Sequence, residues 1–277
     1  MCHLALQNER LFYRQKHDKL GFMCTVVILR RPDHPWPLIL GANRDENQDR
    51  PWQAPARHWP EREDITAGLD ELAGGTWLGV NDYGLVACVL NRPGTLGPAA
   101  GKRSRGELPL EALDHAEASV AAEALGHLNP TAYRPFNLVV GDAREAFWIA
   151  AREGENRIHV EPIAEGLHML TAHDLNDTAG SARQRHYRPQ FEDAAAPEPD
   201  SDDWRAWTAL LESPQQAPGG DPQSAMMIQT ESGFGTSSSS LIALPRPGIK
   251  PGNPGISVHW RFRGGLADKT PWKVVEF

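Results

Sequence analysis

The order of apolar and polar positions predicts two groups of strands separated by a helical region. Apolar, β-branched stretches at 25–31 and 38–45 flank a proline-rich turn, which is typical of a β-hairpin. A second pair of short apolar stretches, at 76–80 and 85–91, is bounded by Gly-Gly and Asn-Asp-Tyr-Gly, both of which are turn sequences. Two successive hairpins are therefore expected in the first third of the chain.

The clearest helical pattern runs from about residue 104 to residue 128. Its apolar residues recur at the spacing of one helical face, and Asn-Pro closes the segment. Two weaker helical patterns follow it. The first is expected to begin after an N-cap at Asp177 or Thr178, and the second to cover 202–211 after an N-cap at Ser201.

Further strand patterns lie on both sides of the weaker helices. They cover residues 136–142, 145–152, 156–163, 237–245, 255–265 and 272–277. Antiparallel strand groups with helices segregated between them predict an α+β fold, in which one sheet packs on another and helices cover the pair. No internal repeat is visible, and one domain is expected.

The composition narrows the classes of partner and compartment. A net charge of −8 gives no electrostatic reason to expect a nucleic acid or an anionic membrane as partner. No apolar run approaches the roughly 18 residues that predict a membrane span. Residues 1–22 contain basic residues but no apolar centre, so they do not resemble a secretory signal. These observations predict a cytoplasmic protein.

The cysteines and histidines do not form a recognisable metal or disulfide pattern. The cysteines are Cys2, Cys24 and Cys88. They contain no Cys-x-x-Cys pair and are expected to be free thiols. His168, His173 and His186 are irregularly spaced and lack a soft ligand beside them. Neither a metal nor a cofactor is predicted.

Cys24 opens the first predicted hairpin, and this position suggests chemistry. If Arg30 lies across from Pro37, Asn43 falls opposite Cys24 and Asp45 one diagonal step further. Were Cys24 the first residue, its free α-amine would titrate at roughly 7.7–8.0 and could act as the base for its own thiol. Asp45 would then hold the amine while the thiolate attacks an amide or ester carbonyl.

Each of these residues also has an ordinary structural interpretation. Cys24 in an apolar strand is commonly a small buried hydrophobe. Asn43 and Asp45 are typical of a strand end that enters a turn. Arg44 could bind a substrate carboxylate or pair with a neighbouring acid, and Asn91 could donate to an oxyanion or only shape a turn.

Several motifs together resemble one family. They are MCTVVIL, GANRDEN, GGTWLGVNDYGLVACVLNRPG, SRGELP, FNLVVGD and GFGTSSSSLIAL, and they run in order from Met23 to about Leu244. This set resembles the NRDE family (transport and Golgi organization protein 2-like), whose fold is similar to the N-terminal-nucleophile hydrolases. The resemblance implies a four-layer αββα sandwich with mainly antiparallel sheets. It implies Cys24 as nucleophile, Asp45 as its supporting carboxylate and Asn91 as an oxyanion donor.

The chain departs from the related bile-salt hydrolases and penicillin V acylases at several positions. Those enzymes have an arginine where this chain has Ala42, and Arg44 is the nearest basic substitute. They have a second oxyanion asparagine where this chain has Ala172, with His173 and Asn176 as stand-ins. The substrate-binding residues implied by the resemblance are Asn43, Arg44, His173, Asn176 and Ser237.

The resemblance leads to one expected function and one alternative. The expected function is hydrolysis of a C–N amide bond in a small acylated molecule. The alternative is a binding or trafficking protein that holds haem, a lipid or another hydrophobic ligand in the same cleft without cleaving it. Because the nucleophile needs a free amine, residues 1–22 are expected to be a dispensable extension and 23–277 the single working domain. The sequence leaves the oligomeric state open.

Overall fold

A computed structural model describes residues 24–247, 258–266 and 270–277. The predicted dispensable extension, 1–22, lies outside the described residues. Within them, the chain forms two antiparallel sheets and four α-helices. No helix in the described ranges combines the length and apolarity that a membrane crossing requires.

The first sheet carries the predicted hairpin at its centre. In spatial order its strands are β10 (Gly166–Leu170), β1 (Thr25–Arg30), β2 (Leu38–Asn47), β11 (Phe234–Leu244), β12 (His259–Gly264) and β13 (Lys273–Val274). All neighbouring strands are antiparallel, and β11 follows almost the whole length of β2. The strand that begins beside Cys24 is therefore flanked on both sides by other strands.

The second sheet is a meander in which each strand pairs with the next along the chain. Its strands are β3 (Trp52–Ala56), β4 (Ile65–Asp70), β5 (Leu78–Asn81), β6 (Val86–Asn91), β7 (Phe136–Gly141), β8 (Ala146–Ala151) and β9 (Ile158–Pro162). The two strands β3 and β4, with their polar or glycine-containing sequences, were not among the predicted elements.

Helices cover the outer face of each sheet. The helices are α1 (Glu107–Leu113), α2 (Ala118–Gly126), α3 (Ala182–Asp193) and α4 (Arg205–Leu211). Apolar side chains of α1 and α2 pack on the second sheet, and those of α3 and α4 pack on the first. A third core lies between the sheets, where Val26 and Ile28 of β1 point, while Val27 points towards the helices. The predicted αββα order of layers is confirmed.

Three predicted helix boundaries are wrong, and each has a local cause. The central pattern divides into α1 and α2 because the Asn81 side chain binds the carbonyl groups of Leu113 and His115. Helix α3 starts after Ser181, whose hydroxyl accepts from the Gln184 backbone. Asp177 and Thr178 are not its N-cap, because Asp177 accepts from the Gly180 backbone in the preceding turn.

The start of α4 is the third of these corrections. The chain forms a 3-10 turn from Pro199 to Ser201, so Ser201 cannot be the N-cap of the following helix. Asp202 then adopts a left-handed conformation with φ of 56°, and the helix starts only at Arg205. Because a left-handed residue interrupts the run of helical backbone angles, the two turns remain separate.

The predicted register of the first hairpin is wrong by one residue. Thr25, rather than Cys24, lies opposite Asn43, and Arg30 lies opposite Leu38. The backbone of Arg31 donates to the Pro37 carbonyl at 2.8 Å, which closes the connecting loop one residue further along the chain. A shift of one residue moves side chains to the other face of a strand pair.

A buried ion pair fastens α3 to this hairpin. Arg183 Nη1 donates to Asp45 Oδ2 at 2.9 Å and to Thr25 Oγ1 at 2.6 Å. Thr236 on β11 donates its hydroxyl to Asp45 Oδ1 at 2.7 Å. Burial raises the pKa of Asp45, and the charge of Arg183 opposes that rise together with the hydrogen bonds from Thr236 and Arg183. One cation therefore ties β1, β2 and α3 together.

Replacing Arg183 by methionine is expected to lower the free energy of unfolding by about 3–5 kcal/mol, because it leaves the Asp45 carboxylate buried without its cation. Urea denaturation measures this change. Arg185→Met is the matched control, since Arg185 is exposed on the same helix and, among the described residues, its side chain bonds only to the Thr178 carbonyl. A loss below about 1 kcal/mol for Arg183→Met would contradict the account of this ion pair.

Candidate active site

A small pocket lies between the sheets at the beginning of β1. Its empty space amounts to about 270 Å³ when the open solvent at its mouth is counted, and the enclosed part is about the size of one water molecule. Side chains that line it from the first sheet include Cys24, Val26, Ala42, Arg44, Ser238 and Ser240. Those from the second sheet include Trp77, Leu78 and Cys88. The pocket is apolar on one wall and carries a thiol, hydroxyl groups and a guanidinium on the other.

The observed register aligns three polar side chains on one face of the first sheet. Ser238 of β11 pairs with Arg44 of β2, and continuation of the β1–β2 register places Arg44 across from Cys24. Cross-strand partners point to the same face. Cys24, Arg44 and Ser238 therefore form a row that faces the pocket, with Cys24 at the entrance to its strand.

The thiol of Cys24 is protonated in this environment. Cys24 is half-buried, and its Sγ donates a weak hydrogen bond to the Asp45 backbone carbonyl at 3.7 Å. Burial and then the negative charge of Asp45 raise the pKa of Cys24 to about 12, against the opposing effects of that hydrogen bond and of Arg44. A thiol with this pKa is a poor nucleophile at neutral pH unless a base removes its proton.

Arg44 is buried beside the thiol and held by several groups. Its Nη1 donates to Ser237 Oγ at 3.0 Å, and its Nη2 donates to Asp70 Oδ2 at 3.3 Å. Its guanidinium carbon lies 4.4 Å from the centre of the Trp77 ring, which is a cation–π distance. The structure thus brings Arg44 and Ser237 together and pairs Arg44 with Asp70, an acid that the sequence interpretation did not consider.

The side chains of Asn43 and Asp45 face the helices instead of the thiol. Asn43 Nδ2 donates to the carbonyl groups of Leu211 and Met226, both at 2.9 Å, and Asp45 binds Arg183. The expectation that these two side chains stand beside the Cys24 thiol is therefore wrong. The cause is the one-residue difference in register, which gives the pocket face to Arg44.

Three other predicted residues do not line this pocket. Asn91 ends β6 opposite Phe136 and is half-buried. Asn176 adopts φ of 59° and its Oδ1 accepts from the Met169 backbone at 3.0 Å. His173 lies 3.8 Å from the Asp177 carboxylate, and burial lowers its pKa despite that negative charge. Their roles in catalysis stay predictions.

Several residues of the site were missed by the sequence interpretation. They are Trp77, Cys88 and the supporting Arg183. Ser238 belongs to the serine run 237–240, and the alternation of a strand, in which every second residue shares a face, is the signal that assigns it to the pocket. Arg183 offered none, since its partner Asp45 is 138 residues away. Within the described ranges, no group of three or more His, Cys, Asp or Glu side chains is arranged to hold a metal ion.

Solved structures share this architecture at low sequence identity. An N-acylethanolamine-hydrolyzing acid amidase ortholog from Caenorhabditis elegans superimposes with a TM-score of 0.54 and 14% identity, covering 79% of this chain and 92% of that one. A variant of the conjugated bile acid hydrolase from Clostridium perfringens gives 0.52 and 11%, covering 92% and 97%. At such identities the likeness establishes the fold, which is that of the N-terminal-nucleophile hydrolases.

Sequence comparisons identify the family. The Transport and Golgi organisation 2 family model matches residues 23–248. The Bos taurus transport and Golgi organization protein 2 homolog is 35% identical over 141 residues, which is 46% of each chain. The Homo sapiens homolog is 36% identical over 118 residues, or 39% of this chain and 40% of that one. These alignments span less than half of each relative. Through the family match, which covers most of its length, the chain belongs to the Transport and Golgi organisation 2 family.

Proposed function

We propose that this protein hydrolyses a C–N amide bond of a small acylated molecule, with Cys24 as the nucleophile. The observation that carries the proposal is the position of the Cys24 thiol, at the start of a central strand and facing a pocket between two sheets. The fold shared with an acid amidase and a bile acid hydrolase supports an amide as substrate. The apolar side chains that line the pocket, Leu78 of the second sheet and Val26 of the first, suit the start of an acyl chain.

The reaction requires release of the Cys24 amino group. In the 277-residue chain, Cys24 is joined to Met23 by a peptide bond and has no amine to serve as base. A free α-amine has a pKa of roughly 7.7–8.0 and accepts the thiol proton near neutral pH. Translation from Met23 with removal of that methionine, or cleavage between Met23 and Cys24, would provide it.

The chemical steps follow from these two groups. The thiol proton moves to the α-amine, and the sulfur attacks the amide carbonyl carbon. The C–N bond breaks as the α-ammonium returns a proton to the departing amine, which leaves a thioester on Cys24. Water then attacks the thioester, the amine acts as base again, and the products are a carboxylic acid and the restored thiol.

The neighbouring polar groups have supporting roles in this proposal. Asp45 holds the hairpin through Arg183 and contributes negative charge near the α-ammonium. The hydroxyl of Ser238 has no hydrogen-bond partner among the described residues and lines the pocket, which makes it a donor to the oxyanion. Asn91 remains the family-based oxyanion donor, with His173 and Asn176 as stand-ins for the second one.

The raised thiol pKa also favours a second candidate function for the chain that retains residues 1–23. With its thiol protonated and its amino group in a peptide bond, that form is suited to bind an acylated or other hydrophobic ligand without cleaving it. Haem and lipids remain the predicted ligands of that alternative. The two candidates differ in whether the amino group of Cys24 is free.

Protein expressed from Met23 is expected to begin at Cys24 and to hydrolyse members of a panel of N-acyl amines. Cys24→Ala should reduce turnover at least about 1,000-fold, because it removes the nucleophile. Intact mass identifies the first residue, and release of amine measures turnover. Circular dichroism checks that both proteins fold alike. Equal turnover by Cys24→Ala would refute Cys24 as nucleophile.

The pH dependence of alkylation gives a separate check on the base. In the full chain with Cys2→Ser, the rate of Cys24 carbamidomethylation should rise about tenfold per pH unit from 7 to 10, since burial raises the thiol pKa to about 12. In protein that begins at Cys24, the rate should instead level off above about pH 8, where the amine is neutral. Identical profiles for the two forms would argue against the amine as base.

A further inference from the structure

Arg105 does not line the Cys24 pocket but lies near enough for the charges of Cys24 and Glu46 to act on it, and the proposed mechanism does not use it. Its segment packs on the strand that leads to the pocket, because the Gly106 carbonyl accepts from the Thr76 backbone at 2.9 Å. The approach is close: a Cβ on Gly75 would lie 2.4 Å from the Gly106 backbone. Trp77, which follows directly, lines the pocket and carries Arg44 on its ring.

One end of the Arg105 guanidinium is used to hold the structure. Its Nη1 donates to Thr95 Oγ1 at 2.8 Å and to the Pro135 carbonyl at 3.1 Å. Nε and Nη2 make no hydrogen bond to any described residue, and no described carboxylate forms an ion pair with Arg105. The Nε–Nη2 edge is the side of a guanidinium that binds two oxygen atoms at once.

This arrangement differs from that of the other arginines around the cleft. Arg44 pairs with Asp70, and Arg92 pairs with Asp174 at 2.7 Å. Arg134 donates to backbone carbonyl groups of the neighbouring loop. Arg105 thus combines partial burial with an edge that binds neither a carboxylate nor a carbonyl of the described chain. A half-buried cation of this kind is suited to an external anion.

The charged groups around Arg105 indicate that it lies near Cys24, and they favour an anion with a single negative charge. The pKa of Arg105 is lowered to about 10, first by burial and second by the like charge of Arg134. The charges of Glu46 and Cys24 act in the opposite direction and raise it. Arg105 therefore stays charged at neutral pH. Glu46 would repel a dianion such as a phosphate more strongly than a carboxylate, which carries a single charge.

We propose that the Nε–Nη2 edge of Arg105 binds a carboxylate of the acylated ligand whose amide group lies in the Cys24 pocket. The ligand class is an N-acyl amino acid or a similar carboxylated acyl amide. This inference rests on the proposed function for the identity of the ligand as an acyl amide. It adds a determinant of specificity, and the alternative is that Arg105 only holds the loop that contains Thr95.

Binding can be measured without turnover in the full chain that carries Cys24→Ser. Isothermal titration calorimetry compares N-dodecanoylglycine with its neutral N-methylamide and with dodecyl phosphate. The carboxylate is expected to bind roughly 10- to 100-fold more tightly than the amide, because hydrogen bonds between charged groups strengthen binding by about this factor. It should also bind more tightly than the phosphate. Arg105→Gln should abolish the preference over the amide, and Arg105→Lys should recover only part of it.

Thr95→Val is the matched control, because it removes one of the two internal partners of Nη1 and leaves the Nε–Nη2 edge intact. It should keep the preference for the carboxylate. Three results would overturn the inference. The first is no preference for the carboxylate in the protein with Cys24→Ser alone. The others are an equal preference when Arg105→Gln is added, and loss of the preference when Thr95→Val is added. Stronger binding of dodecyl phosphate would overturn the choice of a carboxylate.

The inference and the proposed function fail in different ways. If the protein that begins at Cys24 hydrolyses acyl amides but Arg105→Gln leaves the carboxylate preference unchanged, only the role of Arg105 is overturned. A carboxylate preference that depends on Arg105, in a protein that hydrolyses nothing, supports the anion site and refutes the hydrolase.

Discussion

The pairing of Thr25 with Asn43 is the constraint on which the site depends. Because side chains alternate along a strand, this pairing gives the pocket face to Cys24 and Arg44 and the helix face to Thr25, Asn43 and Asp45. A different register would exchange the two sets, burying the thiol under the helices and turning a carboxylate into the pocket. The raised pKa of Cys24 and the cation beside it both follow from this one geometric fact.

The opposite face of the same hairpin explains how the register is maintained. The Asp45 carboxylate is buried, and Arg183 joins it to Thr25 and to α3. A slip by one residue would leave that charge without its partner, at a cost of several kcal/mol. Asp45 thus acts on the thiol from the helix-facing side of the sheet, because it fixes the strand and its negative charge raises the thiol pKa. Arg44, its neighbour in the NRD sequence, lies on the pocket-facing side.

The sequence pattern was sufficient for the layers and for most strands, because buried β-strands carry strong apolar runs and the family motifs are distinctive. It failed where distant parts of the chain decide the outcome. The division of α1 from α2 depends on Asn81 binding carbonyl groups at 113 and 115, and the burial of Asp45 depends on Arg183. The hairpin register was missed because a proline-rich loop does not specify the residue at which pairing begins.

Acylation of Cys24 during turnover is the step on which the proposed hydrolysis depends. Protein that begins at Cys24 can be mixed with an N-acyl amine, quenched in acid within the first turnovers, digested and analysed by mass spectrometry. The account predicts an acyl group on the N-terminal peptide, attached as a thioester that hydroxylamine removes. Amine release without any acyl adduct on Cys24, or with the adduct on Cys88, would contradict it.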